Sequence, residues 1–319
     1  MHNVDVETRR SFYKMEEMIL TTENLSKSFK TNKAVDSVNL HIRKGSIYGL
    51  IGMNGAGKTT IMKMLTGMIK PTSGSFTYKG LGQNNKEAYS RIGALIEAPA
   101  IYPHLSAYDN LKLKCLAYGI NDSKYIDEKL AQVGLADVGK KKAGRFSLGM
   151  KQRLGIAQAL LHKPKLLICD EPTAALDPLG RKEILDALLA AKKETTVIFS
   201  THILSDVERV CDRAAMLHNG VVTLDGTMEE LHSRKNGERF CIVPKDQETY
   251  DVLSSMFLPF ETLLTEKGER DVPALLWRHA DEEDFRNVLT CVAEKKLSIE
   301  KAEWLGTTLE DMFLEVVRS

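Results

Sequence analysis

Short apolar runs and longer helical periods alternate along the chain, with charged stretches between them. Residues 1–17 are charged and aperiodic, and read as a flexible extension. "MILTTENLSKSF", opening at Met18, predicts a first strand. "GSIYGLIG" (45–52) is a short apolar strand that ends in glycine. In "GKTTIMKMLTGMI" (57–69), Ile61, Met64, Leu65 and Met68 recur at helical spacing, and Pro71 and Gly74 in "KPTSGSF" then stop the helix.

From residue 103 to about 164 the pattern is mostly helical, broken at "YGINDSK" and "GKKKAGRF". "KLLICD" and "TTVIFS" predict two more strands, with a helix near "PLGRKEILDALLAAKKE" between them and another near "LSDVERVC" after them. "AAMLHNGVVTLDG" predicts a hairpin turning at Asn219-Gly220. Strands alternating with helices predict an α/β sheet over 18–235, with an inserted helical subdomain at about 100–164. Beyond residue 235, "RFCIVP", "DQETYDVLSSMF", "FETLLTEK", "VPALLWRHA" and "DEEDFRNVLTCVAEKK" predict a small β-α-β-β-α unit. "TTLEDMFLEVV" reads as a closing helix, so 236–319 forms an accessory α+β domain.

Composition narrows the function class. A chain of 319 residues with 43% hydrophobic and 27% charged side chains is ordinary for a globular protein. A net charge of +1 gives no general attraction to nucleic acid or anionic lipid, and the basic run "GKKKAGR" reads as a solvated loop. The five cysteines form no CxxC pair and their number is odd, which fits free thiols. The histidines have no metal-ligand spacing. The N-terminal residues lack the apolar core of a signal peptide, and no run of about 18 apolar residues occurs. Any membrane role must therefore come through a partner.

Two segments carry the chemistry. "GMNGAGKTT" (52–60) fits G-x-x-x-x-G-K-[ST] at Gly52, Gly57, Lys58 and Thr59, between a predicted strand and a predicted helix. Glycines let the backbone N–H groups of the loop, from Gly52 through Met53, Asn54, Gly55, Ala56 and Gly57 to Thr60, curl round phosphate oxygens. Lys58 would neutralise the β- and γ-phosphates of ATP, Thr59 would give its hydroxyl to Mg²⁺, and the helix N-terminus adds its positive dipole end. The second segment, "LLICDE", brings two acids to a strand tip. Asp170 would serve the metal's shell, and Glu171 would polarise the attacking water as general base.

In order and spacing these motifs resemble those of the ATP-binding subunits of ABC transporters, over about residues 18–235. "FSLGMKQRLGIAQAL" (146–160) resembles the family's signature segment, with Leu148 at a usual glycine and Met150 at a usual glutamine. The resemblance implies a P-loop NTPase core of the ABC ATPase type and a sandwich dimer. Ser147 and Gly149 of one subunit would contact the γ-phosphate bound by the other. "AALD" (174–177) resembles the loop that crosses the dimer interface, with Asp177 as its acid. His202 matches the switch histidine that senses the γ-phosphate, and Phe29 stands where an aromatic stacks on adenine. Glu97 occupies a position that is glutamine in most relatives and that reaches Mg²⁺ and water. A glutamate there, with "SLGMKQRLGIA", looks like the subgroup that exports bacitracin and lantibiotic-type peptides.

That resemblance implies a homodimeric ATPase, peripheral on the inner face of the cell membrane. It would drive a separately encoded permease that exports a peptide antibiotic, with ATP and Mg²⁺ as cofactors and no nucleic-acid partner. The alternative is a soluble ABC-type ATPase switch that moves no solute. One motif set and a short interval between phosphate loop and signature fit the transporter reading better than translation or DNA-repair relatives.

Overall fold

The computed structural model describes residues 18–233, 238–257, 260–263 and 272–305, with Leu309, Met312 and Phe313. The expected extension over 1–17 lies outside them, as does most of the expected closing helix. The chain divides into two compact units between Met228 and Glu229.

In the first unit, β1 (Met18–Phe29) is an antiparallel strand that pairs with β2 (Asn32–Val38) and β3 (His41–Arg43). β4 (Ile47–Ile51) leads into α1 (Lys58–Leu65). β5 (Ser73–Tyr78) returns to β1, and α2 (Asn85–Tyr89) precedes β6 (Ile92–Leu95). Three helices then form the helical stretch: α3 (Ala107–Ala117), α4 (Ser123–Gln132) and α5 (Leu148–Leu160). Ser106, Asp122 and Ser147 cap them, each accepting a hydrogen bond from a backbone N–H in the first turn. The α/β alternation resumes with β7 (Leu166–Cys169), α6 (Pro178–Lys192), β8 (Thr196–Thr201) and α7 (Leu204–Val210). β9 (Arg213–His218) and β10 (Val221–Thr227) complete the first unit, and α8 (Met228–Ser233) starts at its last residue and belongs otherwise to the second.

The larger sheet has the order β10-β9-β4-β8-β7-β6 and is parallel except for the β9–β10 hairpin. That hairpin turns at Asn219-Gly220, both at positive φ, as the sequence predicts. β4, β7 and β8 are buried at every position, which is why they read as unbroken apolar runs. Their register sets Ile51 beside Thr201 and Cys169 beside Phe199. The residues leaving β4, β7 and β8 therefore emerge along one edge, where α/β sheets bind ligands.

Helix α1 buries Ile61, Met62, Met64 and Leu65 completely, in a core shared with Leu20, Tyr48 and Tyr78. Each such side chain contributes about 1.5–3 kcal/mol relative to exposure. The expected continuation of this helix to residue 69 is corrected. Gly67, at φ 75°, donates to the Met64 carbonyl and Met68 to the Lys63 carbonyl, a glycine-terminated helix end that leaves Met68 exposed.

The second unit comprises β11 (Glu238–Pro244), α9 (Gln247–Met256), β12 (Phe260–Leu263), β13 (Ala274–Ala280), α10 (Glu282–Glu294) and β14 (Ile299–Leu305). Its antiparallel sheet runs β12-β13-β11-β14, a ferredoxin-like βαββαβ arrangement. Phe240, Ile242, Leu253, Leu275 and Val288 form its core, with Phe285 and Trp304 packed against it. The last strand corrects the expected β-α-β-β-α order. β14 is an edge strand interrupted by Glu300, Lys301 and Glu303, so it lacks a clean apolar period.

Candidate active site

The loop between β4 and α1 has the shape its glycines allow. Gly55 and Gly57 have φ of 84° and 106°, in the left-handed region. A Cβ on Gly57 would collide with the Ala34 carbonyl, and one on Gly52 with the Leu217 carbonyl. Gly57 stands at the N-terminus of α1 with no side-chain cap, so the first N–H groups of the helix stay available to an anion. Met53, Asn54 and Gly55 are exposed, Ala56 is buried, and Thr59 and Thr60 are half-buried.

Lys58 is 5% exposed, and its side chain folds back into the loop. Nζ donates to the carbonyls of Gly52 at 2.6 Å and Met53 at 3.0 Å. It also stands 3.0 Å from Glu171 Oε1, an ion-pair distance outside hydrogen-bonding geometry. On the other side His202 Nδ1 donates to Glu171 Oε2 at 2.9 Å. One carboxylate thus joins the phosphate-loop lysine to the histidine that follows β8. Glu171 has a φ of 47°, a left-handed turn at the strand exit that a non-glycine residue adopts only at a cost.

Asp170 is 4% exposed and accepts from Ser200 Oγ at 2.7 Å. The same Ser200 hydroxyl oxygen accepts from the Glu171 backbone N–H at 2.9 Å. Ser200 therefore fixes both acids from the neighbouring strand. Sequence reasoning missed it, because a serine inside an apolar strand carries no motif; the signal available was its place two residues before His202. The Asp170 carboxylate and the Thr59 hydroxyl are hard oxygen donors of the kind Mg²⁺ takes.

The other expected site residues lie in separate settings. Ser147 Oγ accepts from Met150 N at 3.2 Å, and Asp177 Oδ1 accepts from Gly180 N at 2.8 Å, so each caps a helix. Ser147, Gly149 and Asp177 share the lining of one cleft of about 390 Å³ with Leu148, Leu176 and Arg153. Glu97, at φ 62°, is exposed and bound to Lys63 Nζ of α1 at 2.5 Å. Phe29 ends β1, is exposed, and has Lys27 Nζ 5.1 Å from its ring centre. The lysines at 140–142 are exposed, as the reading of "GKKKAGR" as a solvated loop expects, and all five cysteines are free.

A strand, a glycine loop closed on a lysine, and two acids on the same sheet edge are the parts that a nucleotide phosphate site takes. Comparison with known proteins names the family. The ABC transporter family model matches residues 35–174. The bacitracin transport ATP-binding protein BcrA of Bacillus licheniformis is 38% identical over 303 residues, covering 94% of this chain and 97% of that protein. This chain belongs to the ABC transporter ATP-binding proteins. The lantibiotic transport ATP-binding protein SrtF of Streptococcus pyogenes is 44% identical over 224 residues, 68% of this chain and 97% of that one. A dimeric ATP-binding cassette in a post-hydrolysis state, bound to ADP and Pi, matches with a TM-score of 0.58 at 26% identity, covering 66% of this chain and 98% of that one. The ABC ATP-binding protein is accordingly a P-loop ATPase.

Proposed function

We propose that this ABC ATP-binding protein hydrolyses ATP with Glu171 as general base and His202 as its positioning partner. That hydrolysis would drive a separate membrane permease exporting a peptide antibiotic of the bacitracin or lantibiotic type. The Lys58–Glu171–His202 constellation carries the reading. When the triphosphate enters, Lys58 exchanges the Gly52 and Met53 carbonyls for β- and γ-phosphate oxygens, and the N–H groups of 52–60 close round them. Glu171 then accepts a proton from the water that attacks the γ-phosphorus, giving ADP and inorganic phosphate. His202, held through Nδ1 on Glu171, presents its other ring edge to the γ-phosphate. Thr59 and Asp170 would hold Mg²⁺, which when bound would supply positive charge beside the phosphate oxygens. Phe29 stacks on the adenine.

Ser147 and Gly149 serve the γ-phosphate of a second copy, and Asp177 crosses the interface between copies. Glu97, paired with Lys63, would have to leave that lysine to serve as a metal ligand. The permease docks on the helical subdomain, which places the chain peripherally on the inner face of the membrane. The second unit has an accessory role. BcrA and SrtF, by their names, act in bacitracin and lantibiotic transport, and this supports the substrate class.

Glu171→Gln is the test. It should keep ATP binding within about twofold while turnover falls by about 100-fold or more, the scale of a lost general base. A host deprived of the chain should become more sensitive to bacitracin or a lantibiotic, and the Gln variant should not restore resistance. Turnover near wild type in the variant would remove Glu171 from the base role. Unchanged sensitivity across both peptide classes would remove the substrate class.

A further inference from the structure

The helix that starts at Asp177 and the helix that follows His202 are joined by an ion pair that the phosphate site itself does not require. Arg181 lies one turn into α6, and its N–H donates to the carbonyl of Asp177 at 2.9 Å. Its Nη2 donates to Asp206 Oδ1 at 2.6 Å and to Ser205 Oγ at 3.2 Å. Asp206 lies in the first turn of α7, four residues after His202, and is 2% exposed. Its Oδ2 and the Nε of Arg181 are buried without hydrogen-bond partners among the described residues. A buried carboxylate held by a single cation depends strongly on that cation's position.

Little else fixes the start of α7. The helix is seven residues long, and Ile203 at its N-cap supplies no side-chain hydrogen bond. Thr201 Oγ1 accepts from Ile203 N at 3.0 Å, and Val207 and Val210 bury beneath the helix. The second ion pair between α6 and α7, Arg209 with Asp186 at 3.1 Å, is exposed on both sides and weak. The Arg181–Asp206 pair, with its carboxylate buried, is thus the less exposed of these two ion pairs between the helices. Both helices begin beside residues of the ATPase site.

We propose that Arg181 and Asp206 are positioning residues for hydrolysis. The pair sets the start of α7, and so the placement of His202 against Glu171, and makes it follow the 174–177 loop. Movement of Asp177 would reach the γ-phosphate end of the site through Arg181 rather than through the phosphate loop. The inference rests on the role given to His202 above.

The test uses the full chain and reads single-turnover hydrolysis and ATP Kd for Arg181→Met, His202→Ala and the double variant. Arg181→Met should lower the hydrolysis rate about 10-fold, the scale of a modest misplacement of a catalytic group, with Kd within about twofold. In the His202→Ala background, itself slowed by about 100-fold, Arg181→Met should have no further effect, because it acts through the missing ring. Arg181→Lys should recover at least half of the lost rate. Asp206→Asn, nearly isosteric, replaces Arg181→Met if the latter fails to fold. An unchanged rate in Arg181→Met, or an equal fall with and without His202, would overturn the link while leaving the site intact. A fully active His202→Ala would overturn the role of His202, and the link with it.

Discussion

Protonating His162 would create a second N–H where the fold offers no acceptor. Nε2 lies 3.2 Å from the Ile92 carbonyl, which takes the one ring hydrogen, while Nδ1 is buried without a partner. The ring stacks on Tyr118 at 4.9 Å between centres. Burial pushes its pKa below the ordinary histidine value; the Ile92 carbonyl opposes this, and nearby Lys114 adds to it. The unfolded chain therefore binds this proton more readily than the folded one. The stabilisation is fully present above the unfolded pKa of about 6.5 and is lost as pH falls through that value toward the lower folded one. The slope is bounded at about 1.4 kcal/mol per pH unit for one proton, and half-burial keeps it smaller. His162→Gln, which can keep a donor for Ile92, should show a flatter Tm between pH 7 and 5 than the wild type. Parallel Tm curves for the two proteins would remove His162 as a source of acid sensitivity. Nothing in "LLHKPK" marks this residue in the sequence, because its setting comes from α3 and β6.

Among elements, the phosphate loop is the most legible and also the least tolerant. Gly57 combines a left-handed φ with backbone pressed against the Ala34 carbonyl, whereas Gly55 has the left-handed φ but open space around it. Gly55→Ala should therefore cost about 1 kcal/mol of backbone strain. Gly57→Ala adds a collision that forces β2 or α1 to shift, for about 2–3 kcal/mol, and moves the N–H groups that face phosphate. Urea midpoints and ATP affinity measured on both variants should fall in that order; equal losses would show that φ alone matters. The buried strands β4, β7 and β8 were legible because both faces are covered, so their apolar runs are continuous. The sequence pattern does not single out β2, β3, β5 and β6 as strands. They are short or carry exposed polar positions, and β5 follows the very Pro71 and Gly74 that read only as a stop. Gly74 is required by its close approach to the Asn24 carbonyl, a contact that pairing with β1 creates and that no local window contains.

At the scale of the whole molecule, the candidate site is divided. Lys58, Glu171 and His202 meet directly, while Ser147, Gly149 and Asp177 line a cleft that none of those three enters. The motif order in the sequence announced both groups but not Ser200 or the Lys63–Glu97 pair, which arise only when distant segments meet. Exposed Met53, Leu148 and Leu179 lie on or beside the segments expected to face a second copy, and their apolar surface is of the kind association would cover. If two copies complete each other's sites, the rate is set by the concentration of dimer rather than of chain. With ATP saturating, activity per chain should then rise with enzyme concentration, in proportion to it at the dilute end, where the total rate is second order, and level off once dimers dominate. An equimolar mixture of Lys58→Ala and Ser147→Arg chains sharpens the expectation. Half of the mixed dimers' sites would pair an intact loop with an intact signature segment, so the mixture should recover activity that neither variant has alone. Activity strictly proportional to enzyme down to nanomolar concentration, with no recovery on mixing, would mean that one chain suffices, and Ser147 and Asp177 would return to being helix caps and nothing more.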